Sequence, residues 1–471
     1  MKRATERHNL FRNGLWRKRL LLTATMMPML ASTAFAVDKP EVTAEEVLEL
    51  LRESGVITQQ QYDAVLKKAE ARKEEQAKEY AVKWDNGLSV NRNDGAFKLK
   101  LGGRIHLDWG YASGSSAIDR NEANNVYGGS TIDGDGVEFR RARLYISGTL
   151  WEEYLFKAQY DFAGGDVDWK DVYMGKENIP GLGTLLLGQM HEPFSLEELT
   201  SSNYITFMER SLPTSAFAPS RKTGIRAANT LYDQNITWAI GAFYGDTDDD
   251  GDSNFDDIAN TDITLRLSGV PIFDNEGEHL LHLGLGYSYQ IRDEGETELR
   301  FRTRPEFHIT DVRLVDTGTF DADSVNLFNP ELALVWGPLS IQGEYFYASV
   351  DSTEADDPSF QGAYLYTSWF ITGEHRPYSR SSGKFSRVKP KDNFIGGGSG
   401  AWEIAARWSW IDLTDSNVEG GEQNDLSLGV NWYLTPNNRL MFNYVYADVD
   451  DREEAEDGDV DIFAMRLQTD F

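Results

Sequence analysis

From residue 97 onward, apolar and polar positions alternate with a period of two. In FKLKLGGRIHLDWGY, Phe97, Leu99, Leu101, Ile105, Leu107, Trp109 and Tyr111 share one face, and Lys98, Lys100, Arg104, His106 and Asp108 share the other. Trp402, Ile404, Ala406, Trp408 and Trp410 oppose Glu403, Arg407 and Ser409 in the same way. Leu426, Leu428, Val430, Trp432 and Leu434 oppose Asp425, Ser427 and Asn431. A pleated strand sends successive side chains to opposite faces, so each run predicts a strand with one apolar and one polar side. The aromatic residues gather near strand ends, where a membrane interface favours them. Between residues 41 and 80 the pattern is helical instead. Thr43 with Glu46 and Thr58 with Gln61 form two capping boxes, and Gly55 suits the helix end between them. Leu48, Leu51, Ile57, Val65 and Leu66 sustain no heptad, which predicts a short solvated helical segment rather than a coiled coil.

The connections narrow the fold. Short links at Glu152–Glu153, Pro180–Gly183, Leu231–Gln234, Gly337–Pro338 and Thr435–Asn438 take turns with long polar ones at 112–136, 191–221, 245–259, 351–360, 414–423 and 450–459. Tight turns at one end and long loops at the other are the pattern of a transmembrane barrel, whereas alternation alone fits any half-buried sheet. In DIFAMRLQTDF, Phe463, Met465, Leu467, Thr469 and Phe471 share a face, and the closing aromatic resembles the assembly signal of bacterial outer-membrane barrels. Sixteen strands fit between 97 and 471, provided that 292–326 is an outside loop and 374–400 a periplasmic connection. A barrel of that size keeps an aqueous lumen. Ahead of it, a basic stretch, the apolar run LLLTATMMPMLA and AFA predict a signal peptide over 1–36, cleaved after Ala36. A helical periplasmic segment and linker would then fill 37–96.

Charge changes the picture. With 76 acidic against 46 basic residues the formal net charge is -30, which argues against a nucleic-acid partner. There is no cysteine, so disulfides, thiol chemistry and Cys-ligated zinc are excluded. Against that acidity, ELRFRTRPEF sets Arg300, Arg302 and Arg304 at every second position of one outside loop. The opposite connection carries Lys384, Lys389 and Lys391 among other cations. Strand parity turns Arg104, Arg141, Arg143, Lys157, Lys222, Arg226 and Arg266 inward. Arg140 is out of phase and needs a bulge or a rim position to join them. Arginines two apart on an extended segment stand ~6.6–6.8 Å apart, close enough to hand an anion from site to site. Guanidinium groups stay charged at any working pH and match oxyanion oxygens bidentately.

These pieces resemble the phosphate-selective porin family, the porins O and P. The resemblance rests on LGGRIHLDWG, EFRRARLYISG, PFSLEELTSSNYITFMERSLPTSAFAP, GAWEIAARWSWIDLTD, NDLSLGVNWYLTPNNRLMFNYVYADV and FAMRLQTDF, with VLELLRESGVITQQQYDAV upstream. It implies an all-β membrane protein: a sixteen-stranded antiparallel transmembrane β-barrel whose third and fifth loops fold inward, assembled as a homotrimer in the bacterial outer membrane. It also implies phosphate or polyphosphate as the permeating ion. Arg300, Arg302 and Arg304 match the family's arginine ladder, Arg140 and Arg141 its constriction pair, and Lys384, Lys389 and Lys391 its exit lysines. Glu197, Glu198 or Asp108 would supply acidic groups beside the constriction. The ladder is short, ending at Pro305 and Glu306. A general or sugar-type diffusion porin, with its arginines paired to acids, is the alternative.

No cofactor is expected. In YGDTDDDGDSNFDD, Asp246, Asp248, Asp250 and Asp257 have calcium-loop spacing, but helices do not flank them and Asp replaces the usual Glu. A solvated acidic loop, loosely bridged by divalent cations to lipopolysaccharide, is the other reading. An enzyme is not expected: G-x-S-x-G is absent, and HEPF at 191–194 is not H-E-x-x-H.

Overall fold

The computed structural model describes residues 44–244, 260–292, 297–452 and 455–471. They fall into two units, one ending at Arg72 and one running from Lys73 to Phe471. In the first, helix α1 (Ala44–Glu53) stops just before Gly55, which takes the left-handed φ of +72° that a helix end requires. Helix α2 (Gln59–Ala77) starts at the predicted box: the Gln61 N–H donates to Thr58 Oγ1 at 3.3 Å and the Thr58 N–H to Gln61 Oε1 at 2.9 Å. Thr43, the expected signal peptide over 1–36 and the acidic candidates Asp246, Asp248, Asp250 and Asp257 lie outside the described residues.

The second unit is a closed barrel. Its first strands are β1 (Phe97–Gly114), β2 (Gly134–Leu150), β3 (Tyr154–Asp161), β4 (Asp168–Ile179), β5 (Gly183–His191) and β6 (Arg221–Leu231). Then follow β7 (Ile236–Tyr244), β8 (Asn260–Asp274), β9 (His279–Arg292), β10 (Phe320–Trp336) and β11 (Leu339–Ser352). The wall is completed by β12 (Ser359–Phe370), β13 (Ala401–Asp415), β14 (Val418–Thr435), β15 (Asn438–Arg452) and β16 (Gly458–Asp470). Each pairs antiparallel with its neighbour in sequence, and β16 closes on β1 from Val460↔Gly114 to Asp470↔Arg104. On β16, Phe463 and Leu467 are exposed on the outer face while Arg466 and Gln468 are buried inside, as the period of two requires. The Phe471 N–H donates to the Gly103 carbonyl at 3.0 Å, and the Phe471 carbonyl accepts from the Gly103 N–H at 2.7 Å, which fixes the chain end at the seam.

Two features differ from the sequence reading. The expected outside loops 414–423 and 450–459 shrink, since β13 and β14 are joined through Ser416 and Asn417 alone, and β15 continues to Arg452. Strands keep pairing beyond the bilayer because the ladder still satisfies their backbone groups, and polar rim side chains add to it, as where Trp410 Nε1 donates to Glu422 at 2.7 Å. The segment ahead of the barrel is not helical throughout: Tyr80–Trp84 and Leu88–Arg92 form a hairpin whose second strand pairs Leu88–Asn91 with Leu101–Lys98 of β1. Segment 292–326 adds no barrel-spanning strand among the described residues, as expected: Glu298–Leu299 extends the edge of β10 at Phe320–Asp321, and Arg302–Thr303 pairs with Val315–Asp316.

The lumen is divided by character. Inward-facing Val325, Leu327, Phe346, Ile411, Val445 and Ile462, on β10, β11, β13, β15 and β16, form one apolar cluster. Phe194, Phe207 and Leu212 of the third loop and Phe301, Phe307 and Leu314 of the fifth join it. Burying these side chains against the wall pulls both loops into the barrel.

Candidate functional site

The third loop, 192–220, holds helices α3 (Leu196–Leu199) and α4 (Leu212–Phe217). Inward polar side chains of the far wall satisfy its backbone. Glu344 accepts from the Leu196 and Glu197 N–H groups at 3.0 and 2.8 Å, Arg439 donates to the Ile205 carbonyl at 2.8 Å, and Asn431 donates to that of Thr206 at 2.8 Å. The fifth loop turns back at Pro305 and Glu306, where the Glu306 N–H donates to the Arg304 carbonyl at 2.8 Å. The buried Glu306 carboxylate accepts from Arg407 and, at 2.5 Å, from Ser427. Arg452 donates to the Leu314 carbonyl at 2.9 Å. Anchored on β10–β16, both loops present their polar faces to the opposite wall.

That wall is cationic. Between β1 and β2 the register shifts: His106 pairs with Arg141, but Leu107 pairs with Phe139. Arg140 is therefore the extra residue of a bulge. Without it Val137 and Phe139 would share the inward parity of Arg141; with it they are exposed on the outer face, and Arg140 joins Arg141 and Arg143 inside.

Three chambers that share lining residues run along this side. The outer one, about 340 Å³, is bordered by Arg302, Arg304 and Arg313 of the fifth loop, Arg140, and Arg210. The middle one, about 310 Å³, shares Arg140, Glu198, Arg210 and Ser220 with it. Nine cationic side chains line this middle chamber against two carboxylates, Asp171 and Glu198. The inner one, about 560 Å³, shares Arg104, Lys157, Gln159, Ser201 and Lys384 with the middle, and it reaches Lys100, Arg387 and Asn86 at the hairpin tip.

Most of these cations already have a carboxylate. Arg140 binds Glu209 at 2.9 Å, Arg143 Asp161 at 2.6 Å, Lys157 Asp171 at 2.5 Å, Arg221 Asp171 at 2.6 Å and Arg210 Glu198 at 2.9 Å. Six do not, among the described residues: Arg313 of the outer chamber, which donates to the Asp311 carbonyl at 2.8 Å, Lys100 of the inner one, and the four that follow. The Arg302 side chain in the outer chamber makes no hydrogen bond or ion pair. Arg141, 3% exposed, leaves Nε and Nη1 without hydrogen-bond partners and comes no nearer than 4.0 Å to Glu209. Arg104 donates only to Ser201 and Ser202 hydroxyls, at 3.2 and 2.8 Å. Lys384 borders the middle and inner chambers with no acidic partner.

The other residues singled out in the sequence fall elsewhere. Arg300 shares the face of Arg302 but is held bidentately by Asp316, at 2.7 and 2.6 Å, and borders none of the three chambers. Arg304 borders the outer chamber while its Nη2 donates to Asp311 at 2.7 Å. Lys222 pairs with Asp262 at 2.6 Å, and Arg226 donates to the His191 carbonyl at 3.1 Å. Lys389 and Lys391 are exposed away from the chambers, and Lys391 donates to the Gly373 carbonyl at 2.5 Å. Of the acidic candidates, Glu198 borders the lane, Glu197 accepts from Ser211 at 2.8 Å, and Asp108 pairs with Arg466 at 2.6 Å. Sequence reasoning missed Glu209, Arg210, Arg221 and Arg313. Glu209 and Arg210 lie in the aperiodic stretch FMERS, where nothing in the spacing marks direction.

Loop groups on the lane carry shifted ionisation. Burial raises the Glu209 carboxylate, but Arg140, Arg466 and Arg141 outweigh that and hold it well below the usual range. Burial likewise raises Glu198, and Arg210 and His191 bring it down to about 2. Burial and repulsion from Arg226 and Lys157 lower Lys384 to about 8.

The sequence profile of the family described as phosphate-selective porin O and P matches residues 100–471. The chain belongs to that family. It is accordingly an outer-membrane anion porin. It is similar to Porin O of Pseudomonas aeruginosa, with 28% identity over 82% of this chain and 91% of that one. It is also 28% identical, over 83% of its length, to an uncharacterized protein of Caulobacter vibrioides that it covers to 77%. Among solved structures, the porin's barrel is similar to that of OmpT, an outer membrane protein of Vibrio cholerae, in its trimer form. That likeness has a TM-score of 0.51 at 12% identity, covering 80% of this chain and 100% of that one, and it bears on the fold.

Proposed function

We propose that this porin passes phosphate, singly or as polyphosphate, through the lane of three chambers by handing it between the cations that lack a carboxylate. The observation that carries the reading is their succession: Arg302 in the outer chamber, Arg141 in the middle, then Arg104 and Lys384 where the middle meets the inner. An oxyanion supplies the acceptors that Arg141 Nε and Nη1 lack, and the Ser201 and Ser202 hydroxyls add donors beside Arg104. Division over several sites lets the ion leave as well as enter. Glu198 and Glu209, ionised throughout the working range, compete with the ion for Arg210 and Arg140 and loosen it. Acidic groups beyond a Debye length of ~8 Å are screened, so the formal -30 of the chain does not forbid a positive path. Assembly as a homotrimer belongs to the same proposal and is supported by the family; loose contact with lipopolysaccharide is part of the proposal too.

Titrating inorganic phosphate against the chloride current of the purified porin in a planar bilayer tests the cargo. Block at millimolar phosphate or below is expected. A chloride current that phosphate leaves untouched would favour a general diffusion porin.

A further inference from the structure

Beyond the lane lies a fourth cavity, of about 360 Å³, in the inner third of the barrel. Thr184 of β5, Asn229 and Thr230 of β6 and Thr237 of β7 border it, each within a few residues of the periplasmic turns at 180–182 and 232–235. The inner chamber occupies the neighbouring sector of the wall, against Lys100, Ser147 and Tyr173 of β1, β2 and β4. What separates the two is the periplasmic connection, which re-enters the barrel: Tyr378–Ser379 pairs with Lys384–Phe385, and Ser382 and Lys384 border both cavities.

This divider is fixed rather than loose. Tyr378 Oη lies 2.7 Å from His282 Nδ1, and Arg266 Nη2 donates to the Gly383 carbonyl at 2.9 Å. Gly383 has φ +61°, and a Cβ there would come within 2.7 Å of Ser268 Oγ and Thr237 Oγ1, so only glycine lets the turn seat against the wall. The fourth cavity is less charged than its neighbour. Arg266 is neutralised by Glu331 at 2.6 Å, which leaves Arg226 and Lys384 among hydroxyls, one amide and apolar groups that include Pro193, Leu199 and Trp238. The buried Nε of Arg226 has no hydrogen-bond partner among the described residues.

We propose that the pore forks at Lys384, and that the cavity lined by β5–β7 is a second exit for small inorganic anions, with Arg226 as its cationic site. The identity of the ion rests on the anion-lane reading; the fork does not. An ion at Lys384 meets a strongly cationic branch on one side and a more weakly charged branch, of hydroxyls and apolar groups, on the other. Singly charged ions, held weakly, then leave by the second without displacing a polyanion from the first.

The absence of native cysteine gives a direct test. Single variants Thr184→Cys and Ser147→Cys, one in each branch, are incorporated in bilayers. The anionic reagent sulfonatoethyl methanethiosulfonate is then applied from the periplasmic side while chloride current is recorded. With two parallel exits, modification of either variant removes part of the current, roughly up to half, and modification of the double variant removes most of it. If T184C reacts with no loss of current while S147C alone abolishes it, the cavity is a dead end and the fork is wrong. If T184C never reacts, the cavity is closed to the periplasm and the fork is equally wrong. A channel that forks but prefers cations would overturn the anion-lane reading and leave the fork standing. In Arg226→Gln, the part of the chloride current lost on T184C modification should shrink, with phosphate block through the main lane retained; an unchanged share would remove Arg226 from the second exit.

Discussion

Arg141→Ala should separate function from architecture in one substitution. Arg141 is buried on β2, makes no hydrogen bond through Nε or Nη1, and stands 4.0 Å from Glu209. A bound phosphate would receive one or two charge-assisted hydrogen bonds from it, each worth about 1.5–3 kcal/mol. Losing one of them corresponds to roughly 10- to 150-fold weaker binding, at 1.4 kcal/mol per tenfold. Within the barrel the same guanidinium offsets little of its own desolvation and faces Arg140 across the bulge, so its removal should leave heat resistance in detergent unchanged or raised. The assay is phosphate block of chloride current beside thermal unfolding of the same preparation. Arg300→Ala is the control: Asp316 already holds that side chain, it borders no chamber, and block should change by less than about twofold. If R141A unfolds earlier and phosphate block stays at the parent value, Arg141 is a structural cation and the reasoning fails.

Other outcomes follow from the same geometry. Deleting Arg140 removes the bulge residue yet keeps every flanking side chain on its present face, so the barrel should assemble with one cation fewer and weaker block; failure to assemble would show that the bulge shapes the wall. Lys384, at about 8, is charged below that pH and neutral above it, so anion preference should fall as pH climbs through 8, and Lys384→Gln should flatten that step in the zero-current potential. Arg407→Ala leaves Glu306 and Glu197 buried without their cation, at about 3–5 kcal/mol. Lower heat resistance and a flickering open channel are expected as the fifth loop loosens, with partial rescue by Glu306→Gln. Glu209→Gln frees Arg140, so phosphate should dwell longer and single-channel events in phosphate lengthen.

Much of the wall was legible because one physical rule, the period of two, fixes which side chains face lipid and which face the lumen. The rule also flagged its own exception at Arg140, since two adjacent cations cannot both point inward without a bulge. It did not set strand ends: Glu419 to Gln423 read as loop because they are polar, yet they extend β14. The hairpin at 80–92 was hidden because its apolar residues, Tyr80, Val82 and Trp84, are few and set among charges. The lane was legible only in part. Spacing puts Arg300, Arg302 and Arg304 on one face, but whether each is free depends on Asp316 and Asp311, which the fold of the loop brings back to them. Lys389 and Lys391 were grouped with Lys384 by composition, and composition carries no direction.

The central claim is that a few cations without carboxylate partners, not the overall acidity, decide what crosses this barrel. The zero-current potential of the purified porin under a KCl gradient measures it most directly. Selectivity for chloride is predicted, diminishing when Arg141 and Lys384 are neutralised together. Preference for potassium would mean that the acidic groups govern the lumen, and would contradict the account.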